Sequence, residues 1–446
     1  MNNNINVKVV DAPCGAGKTT VTIEYVRKST NPQIILVERL DDCSVIKEQL
    51  GDLVTRVCDV ADQDGSSKFK ALTKAVAQGK HIVTTHASLK FWTTDFLQDC
   101  QDMNYSLIID ESVDSCLNAL NIANRDTKGF LDDGRLSTSD ENGLQRVFLD
   151  RIDDEGYCLP EKYRPLEKVI KNKAVYLVEA ENSLTLVETL RPDLWTYFSE
   201  IKILTYLFSG SILKHYFELF GIPHSPLSIV GDGYGDYREI DGSHFRSLID
   251  ISRQFNDFDV TRASDRSWRG GLTNAWSSCK TRGKQRLKSV ENNLRNYYRS
   301  ICRTNGASTY DFAWCFPQEF FSAVHSCAVG RKALAQQYWK GDRSKLSEED
   351  QKKVTFLPMT LRGSNSWRHK RHMAYLPNTY MNVSIKFFLQ SQGLKVDEDA
   401  FCLNQTIQWV FRSAIRDGKS ITLWLPSQRT RHLFMKWLGY TTDELF

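Results

Sequence analysis

Short apolar runs alternate with longer stretches of mixed polarity over the first two hundred positions of the chain. The apolar runs fall at residues 7–10, 34–37, 53–57, 82–84 and 107–109. Because they show little polar alternation, they predict strands that are covered on both faces, as in a parallel sheet. The intervening stretches predict helices, including one over residues 20–27. The pattern therefore predicts an α/β fold with a mostly parallel sheet.

This alternation is interrupted after residue 114. Acidic residues, Asn and Gly cluster at residues 124–143, and apolar runs at 174–178 and 184–187 predict a hairpin. A strand-like run then returns at residues 201–207. We therefore expect an insertion at about residues 117–200 of the first domain.

The α/β pattern resumes in the second half of the chain. It predicts strands at residues 312–316, 354–357 and 421–425, and a helix that runs through Gln408 and Arg412. A length of 446 residues suits two or three domains. A boundary placed near residues 223–227 gives two domains, residues 1–224 and 225–446.

A glycine-rich segment follows the first predicted strand and precedes the first predicted helix. Residues 12–19 read A-P-C-G-A-G-K-T, and the order of strand, loop and helix is typical of a phosphate-binding loop. Backbone N–H groups beside Gly15 and Gly17 can surround phosphate oxygens, Lys18 can contact the β- and γ-phosphates, and Thr19 can bind Mg²⁺. The candidate nucleotide-binding residues are Ala12, Pro13, Cys14, Gly15, Ala16, Gly17, Lys18, Thr19 and Thr20.

A pair of carboxylates ends the predicted strand at residues 107–109. The sequence continues Asp110-Glu111-Ser112-Val113. In a phosphate-loop ATPase, such a pair would have Asp110 in the shell of Mg²⁺ and Glu111 polarising the attacking water. An acidic pair at a strand end is also common in ordinary loops, so its combination with the phosphate loop carries the interpretation.

Composition excludes several classes of protein. The 11 cysteines are odd in number and form no C-x-x-C pair, which argues against a disulfide framework and a zinc ribbon and favours reduced thiols in the cytoplasm. No apolar run is long enough to predict a transmembrane helix, and the first residues do not have the pattern of a signal peptide. The net charge of +4 permits a nucleic-acid partner through a local basic surface.

Two basic segments offer such a surface. Residues 262–303 interleave Arg and Lys with Trp and Tyr, and residues 367–372 read W-R-H-K-R-H. Basic side chains can neutralise phosphates while aromatic rings stack on bases. A solvated helix face with aromatic rings packed inward explains residues 284–299 equally well.

The two nucleotide motifs resemble those of superfamily 2 nucleic-acid helicases of the DExx class, especially the compact helicases of phages and mobile elements. The resemblance extends in order over most of the chain. Glu38 and Arg39 follow the second strand, and Thr84, Thr85 and His86 follow the fourth, where the family contacts nucleic acid. Ser209, Gly210 and Ser211 resemble the element that couples hydrolysis to movement.

The second half carries two further resemblances. Residues 362–365, which are Arg362, Gly363, Ser364 and Asn365, look like the loop that touches both nucleotide and nucleic acid. Gln408, Arg412 and Arg416 resemble the motif that supplies arginine fingers, although Arg416 lies one position later than in the family. On one continuous helix, Arg416 would sit roughly 40° past Arg412, which makes Arg412 the better candidate finger.

The resemblance implies two tandem RecA-like domains, ATP and Mg²⁺ as cofactors, and ATP-driven movement on or unwinding of nucleic acid. It implies single-stranded or forked DNA as the partner, with RNA as an alternative, and a protein partner in phage replication or recombination. Two other functional hypotheses stay open. One is a different phosphate-loop ATPase or kinase, and the other is a helicase-like scaffold that binds strands or a protein without processive unwinding.

Overall fold

The computed structural model describes residues 6–13, 15–57, 68–151, 156–180, 183–252, 283–317, 347–359 and 366–444. The chain forms two compact units. Unit 1 comprises Met1–Arg238 and Met381–Glu398, and unit 2 comprises Glu239–Tyr380 and Asp399–Phe446. No helix among the described residues is both long and apolar enough to cross a membrane.

Unit 1 is built on an eight-stranded sheet. Its strands, numbered in chain order, are β1 (Val7–Asp11), β2 (Gln33–Val37), β3 (Val54–Arg56), β4 (His81–Thr85), β5 (Ser106–Asp110), β11 (Ile201–Thr205), β12 (His224–Val230) and β13 (Gly233–Asp236). Their order across the sheet is β13-β12-β1-β11-β5-β2-β4-β3. Every neighbouring pair is parallel except β12 and β13.

Helices cover the faces of this sheet. They are α1 (Lys18–Lys28), α2 (Leu40–Leu50), α3 (Lys68–Ala77), α4 (Thr94–Asp102) and α7 (Ile212–Leu219). All five residues of β2 are buried, as expected for an apolar strand in a sheet covered on both sides. Ile23 and Val26 of α1 pack in one core with Val10 of β1 and Ile108 of β5. This packing fixes the start of α1 at the end of β1.

A second, antiparallel sheet lies between β5 and β11 in the chain. It has the order β6-β10-β9-β8-β7, and its strands are β6 (Leu117–Ala119), β7 (Leu136–Glu141), β8 (Leu144–Leu149), β9 (Ala174–Ala180) and β10 (Ser183–Thr189). Helices α5 (Asn124–Asp132) and α6 (Arg164–Asn172) accompany it. Phe130, Ile170 and Val175 belong to its own core. This sheet occupies the stretch in which the sequence predicts an insertion.

A helix from the second half of the chain also belongs to unit 1. Helix α10 (Val383–Ser391) packs against β6, β9 and β10 of the antiparallel sheet. The ring of Phe388 stacks on Tyr176, with 6.2 Å between ring centroids. The chain therefore contributes to unit 1 from two separate regions of the sequence.

Unit 2 contains a four-stranded parallel sheet in the order β14-β17-β16-β15. Its strands are β14 (Ile249–Ile251), β15 (Phe312–Cys315), β16 (His372–Tyr375) and β17 (Ile421–Trp424), and its helices are α8 (Gly283–Asn305), α9 (Glu348–Lys352), α11 (Glu398–Val410) and α12 (Gln428–Trp437). Leu294 and Tyr297 of α8 pack with Phe312 and Trp424. Within this helix, the aromatic rings thus pack inward.

Short 3-10 helices complete the described elements. They are Gly51–Leu53, His86–Phe91, Asp114–Cys116, Glu161–Tyr163, Pro192–Tyr197, Phe208–Gly210, Ser243–Leu248, Ala414–Asp417 and Thr442–Glu444.

Several elements differ from the sequence prediction. Residues 354–357 do not form a strand of the sheet, since Phe356 makes only a single bridge to Trp314. Strand β16 is not among the predicted strands, although Met373, Ala374 and Tyr375 form a short apolar run directly after the basic cluster 367–372. Helix α11 ends at Val410 and does not reach Arg412. Residue 224, where the sequence places the domain boundary, begins β12, which pairs with β1 and so extends unit 1.

Candidate nucleotide and nucleic-acid site

Five parallel strands of unit 1 end at one edge of the main sheet, and candidate site residues follow each of them. Across this edge the strands stand in the order β1, β11, β5, β2 and β4. Adjacent strands lie about 4.8 Å apart, so the phosphate loop after β1 and the carboxylates after β5 are separated by roughly 10 Å. Open α/β sheets bind ligands outside the carboxyl ends of their strands. We call this the carboxyl edge.

The phosphate loop has the backbone that its glycines allow. Gly15 and Gly17 have φ angles of 87° and 83°, which side chains disfavour. Helix α1 begins at Lys18, directly after Gly17. The first N–H groups of a helix have no partner inside it and lie at its positive end. The geometry of this loop therefore fits a phosphate group.

Lys18 is buried within the loop. Its Nζ donates hydrogen bonds to the carbonyl oxygens of Ala12 and Pro13, at 2.7 and 3.3 Å. Ala12 and Pro13 are buried, whereas Gly15, Ala16 and Thr20 are exposed and Thr19 is half-buried. The ammonium is thus held beside the loop that would surround the phosphates.

Polar contacts tie α1 to the sheet behind this loop. Thr22 donates from its hydroxyl to the Lys18 carbonyl oxygen at 2.9 Å and lies 3.1 Å from the Tyr234 hydroxyl. The buried Lys202 of β11 pairs with Glu200 and lies 3.8 Å from the centroid of the Tyr25 ring. Burial lowers the pKa of Lys202. The helix that carries Lys18 therefore has a fixed position on unit 1.

The chain leaves the sheet at the carboxylate pair. Asp110 is the last residue of β5, and Glu111 follows with a φ of 70°. The Glu111 N–H donates to the carbonyl oxygen of Leu204 at 2.8 Å. A left-handed conformation costs a non-glycine residue about 1–2 kcal/mol, so the local fold imposes this bend.

The donor set of the site suits magnesium bound together with phosphates. Within the described ranges, no group of three or more His, Cys, Asp or Glu side chains could hold a metal ion. Mg²⁺ commonly takes one or two carboxylates and completes its shell with water and phosphate oxygens. Asp110 and Thr19 fit this kind of binding, with phosphates supplied by a nucleotide.

The candidate nucleic-acid-binding residues at the ends of β2 and β4 differ in how exposed their side chains are. Glu38 and Arg39 are half-buried, as are Thr85 and His86. Thr84 is buried, and its hydroxyl donates to the Val57 carbonyl oxygen at 2.7 Å. The Thr84 hydroxyl is therefore used inside the sheet, while the other four side chains keep some exposed surface.

The segment Ser209-Gly210-Ser211 follows β11, between the phosphate loop and the carboxylates. Ser209 is exposed, whereas Gly210 and Ser211 are buried. The Ser211 hydroxyl caps α7, since it accepts from the Lys214 N–H at 3.1 Å and donates to the Phe208 carbonyl oxygen at 2.8 Å. The segment thus combines one accessible serine with one that stabilises a helix start.

The candidate arginine fingers belong to unit 2 and do not share a helix. Gln408 lies in α11, and Ser413, with ψ −171°, is extended. Arg416 lies in the 3-10 helix Ala414–Asp417. The expected 40° offset between Arg412 and Arg416 on one helix is therefore wrong. Arg412 is 3 % exposed, and its Nη1 donates to the Pro358 carbonyl oxygen at 3.4 Å.

Some predicted residues lie outside the described part of the chain. They are Cys14 of the phosphate loop, residues 262–282 of the first basic segment, and Arg362, Gly363, Ser364 and Asn365. Of the second basic cluster, Trp367, Lys370 and His372 are buried. Lys370 therefore cannot contact a nucleic-acid backbone as the sequence allowed.

Sequence reasoning missed Asp11 at the carboxyl edge. Its carboxylate accepts hydrogen bonds from the backbone N–H groups of Leu207 and Phe208, at 2.8 and 3.2 Å. Its position directly before the phosphate loop was visible in the sequence, but its partners lie almost two hundred residues away. No local pattern could have paired them.

Comparisons with known proteins agree with this architecture. Residues 243–438 match the family described as the YonV C-terminal Rossmann-like domain. The chain is similar to the SPbeta prophage-derived uncharacterized protein YonV of Bacillus subtilis (strain 168), with 27% identity over 445 residues that cover 97% of this chain and 98% of that protein.

Solved structures of similar fold include one named XPD_Helicase. It aligns with a TM-score of 0.50 and 12% identity over 98% of this chain and 96% of that chain. The structure of S. tokodaii Xpd4 aligns less well, with a TM-score of 0.47 and 14% identity, covering 98% of this chain and 95% of that chain. With its parallel sheets and Rossmann-like C-terminal region, the chain has the mixed α/β, two-domain RecA-like fold.

Proposed function

We propose that this chain is an ATP-dependent helicase or translocase of superfamily 2 that acts on nucleic acid. One observation carries the proposal. The phosphate loop with Lys18 follows β1, and the pair Asp110 and Glu111 stands at the end of β5, with only β11 between these two parallel strands. This is the arrangement in which a bound nucleotide meets both a cation and a candidate base.

Each residue has a distinct task in this proposal. Bound Mg²⁺ would neutralise charge on the phosphates. Lys18 and the loop N–H groups bind the phosphates, Thr19 and Asp110 hold the metal shell, and Glu111 orients the attacking water. Arg412 is the proposed finger on the resemblance alone, since it is buried in unit 2, and Arg416 is the half-buried alternative beside Gln408 in the same motif. A finger is worth a factor of about 10³–10⁵ in rate.

The proposed strand contacts are the accessible residues of the carboxyl edge. Glu38 and Arg39 follow β2, Thr85 ends β4 and His86 follows it, all on the same edge as the phosphate loop. The resemblance also assigns strand contacts to Arg362 and Ser364 and nucleotide contacts to Gly363 and Asn365, four residues outside the described ranges. The substrate is single-stranded or forked DNA, with RNA as the alternative, and a replication or recombination protein is the proposed partner.

A hydrolysis assay on matched strands tests the proposal. ATP turnover is measured alone, with single-stranded DNA, and with RNA of the same sequence, followed by separation of a forked duplex. We expect stimulation by at least one strand type. Lys18→Ala and Glu111→Gln should reduce turnover to background, because they remove the phosphate contact and the base.

Exposed residues of the same types provide matched controls. Lys28→Ala, at the end of α1, and Glu48→Gln, on α2, change side chains that are exposed and outside the carboxyl edge. Both should hydrolyse ATP as the unchanged protein does. Absence of stimulation by every strand would contradict the motor, and activity retained in Lys18→Ala or Glu111→Gln would contradict the assigned site.

A second candidate is an ATPase scaffold that docks strands or a protein without unwinding. The antiparallel sheet formed by β6 to β10 favours the scaffold function. This sheet has its own core, so it offers a surface that is separate from the carboxyl edge. The same assay separates the two functions. Strand-stimulated hydrolysis with no separation of forked DNA or RNA duplexes would support the scaffold.

A further inference from the structure

Asp11 connects the phosphate loop to the segment that follows β11. We call residues 206–211 the β11 loop. Both carboxylate oxygens of Asp11 accept from this loop, one from Leu207 N–H and the other from Phe208 N–H. The next residue, Ala12, donates its N–H to the Thr205 carbonyl oxygen at 2.9 Å. Two consecutive residues where β1 meets the phosphate loop therefore hold the chain where β11 meets the β11 loop.

The β11 loop is in a conformation that it would not favour alone. Leu207 has φ 53° and ψ 53°, in the left-handed region. The other described non-glycine residues with positive φ are Asn104, Asn142 and Glu111, and Asn tolerates this region well. Leu207 and Glu111 are therefore the two residues whose left-handed backbone conformation is unfavourable, and they follow adjacent strands of the carboxyl edge.

Hydrogen bonds to an ionised acceptor offset this cost. A bond from a backbone N–H to a carboxylate is stronger than one between neutral groups. The Asp11 oxygens hold the strained residue Leu207 and its neighbour Phe208. Removing the carboxylate would release both N–H groups and allow the β11 loop to relax.

The strand geometry places the Asp11 side chain away from the core beneath α1. Side chains alternate between the faces of a strand, and Val10 packs with Ile23 and Val26 of α1. Asp11 therefore points to the opposite face, where it meets the β11 loop. Each of its two carboxylate oxygens accepts from an N–H group of the β11 loop, which supports a positioning role.

We infer that Asp11 is a positioning residue that couples the phosphate loop to the β11 loop and its exposed serine, Ser209. A movement of the phosphate loop on nucleotide binding pulls on Leu207 and Phe208 through the carboxylate. The inference rests on the proposed function and specifies how nucleotide occupancy at Lys18 reaches the segment between the two nucleotide motifs.

The experiment uses the full chain with Asp11→Ala, and with Asp11→Asn, whose amide oxygen can still accept one bond. Asp99→Ala on the exposed face of α4 is the matched control. Amide hydrogen exchange over residues 205–211 is measured without nucleotide and with a non-hydrolysable ATP analogue. Nucleotide affinity and the ratio of strand-stimulated to basal hydrolysis are measured in parallel.

We expect Asp11→Ala to bind the analogue with an affinity within about threefold of the unchanged protein. Its β11 loop should exchange faster and should not respond to the analogue. Its stimulation ratio should fall by about tenfold, which lies within the range for a coupling residue. Asp11→Asn should be intermediate, and Asp99→Ala should match the unchanged protein.

Two results would overturn the inference. One is a nucleotide response of the β11 loop that persists in Asp11→Ala, and the other is a loss of nucleotide affinity as large as the loss of stimulation. Failure of the proposed function has a different signature, since no strand would then stimulate even the unchanged protein. The exchange measurement would still test Asp11, and Asp11→Asn would report if Asp11→Ala failed to fold.

Discussion

Lys370 has a structural role that differs from the nucleic-acid contact suggested by its sequence neighbours. It stands in a run of basic residues, yet it is buried, and its Nζ donates to the carbonyl oxygens of Thr309 and Lys352, both at 2.9 Å. Burial lowers the pKa of Lys370 from 10.5 to about 7, although Asp311 acts in the opposite direction. The lysine is therefore a structural element of unit 2.

This setting predicts a pH dependence of stability. Above pH 7 the folded protein releases the Lys370 proton, whereas the unfolded chain keeps it up to about pH 10.5. The unfolded state then binds more protons, so the free energy of unfolding rises with pH in this window. Urea unfolding of Lys370→Met should lack an increment of about 2 kcal/mol between pH 7 and pH 9.

An exposed lysine provides the control for this measurement. Lys419→Met should keep the full increment, because Lys419 is exposed. Equal pH dependence in Lys370→Met and the unchanged protein would show that Lys370 stays protonated in the fold.

At the scale of elements, the sequence predicted well those strands whose pattern is apolar throughout. β2 and β5 lie at the predicted places, because an unbroken apolar run has few other stable environments. β16 was not predicted because it has only four residues and begins inside the basic cluster 367–372. The end of α11 was not predicted because nothing local marks Val410 as a helix end. Tertiary packing decides both cases.

The two serines after β11 allow the stability contribution of a capping hydroxyl to be compared with that of an exposed hydroxyl. Ser211→Ala removes the cap of α7 and should lower the free energy of unfolding by about 1 kcal/mol. Ser209→Ala, only two residues away, removes an exposed hydroxyl and should change it by less than about 0.5 kcal/mol. Urea unfolding of both variants measures the difference, and equal losses would contradict the capping role of Ser211.

At the scale of the whole molecule, the sequence predicted the α/β class and the phosphate loop with its carboxylates. These depend on short local patterns that repeat in order along the chain. The assignment of α10 to unit 1 could not be predicted, because it depends on contacts between Phe388 and Tyr176, more than two hundred residues apart. The link from Asp11 to Leu207 was hidden for the same reason.

Neighbouring phenylalanines measure how strongly α10 stabilises unit 1. Phe388 is 2 % exposed and Phe387 is 36 % exposed. Phe388→Ala should cost about 3–5 kcal/mol by leaving a cavity beside Tyr176, whereas Phe387→Ala should cost less than about 1 kcal/mol. Hydrogen exchange of the β9 and β10 amides reports the loss, and similar effects of the two variants would contradict the packing role of α10.

The path of the chain between the units restricts which recombination events between related genes can preserve both units. The chain passes from one unit to the other after Arg238, Tyr380 and Glu398. A single exchange of coding sequence at the first of these points would transfer the first 238 residues without α10 and leave the surface around Tyr176 uncovered. Each unit has a sheet of its own, yet any continuous fragment that contains all of unit 1 also contains residues 239–380 of unit 2.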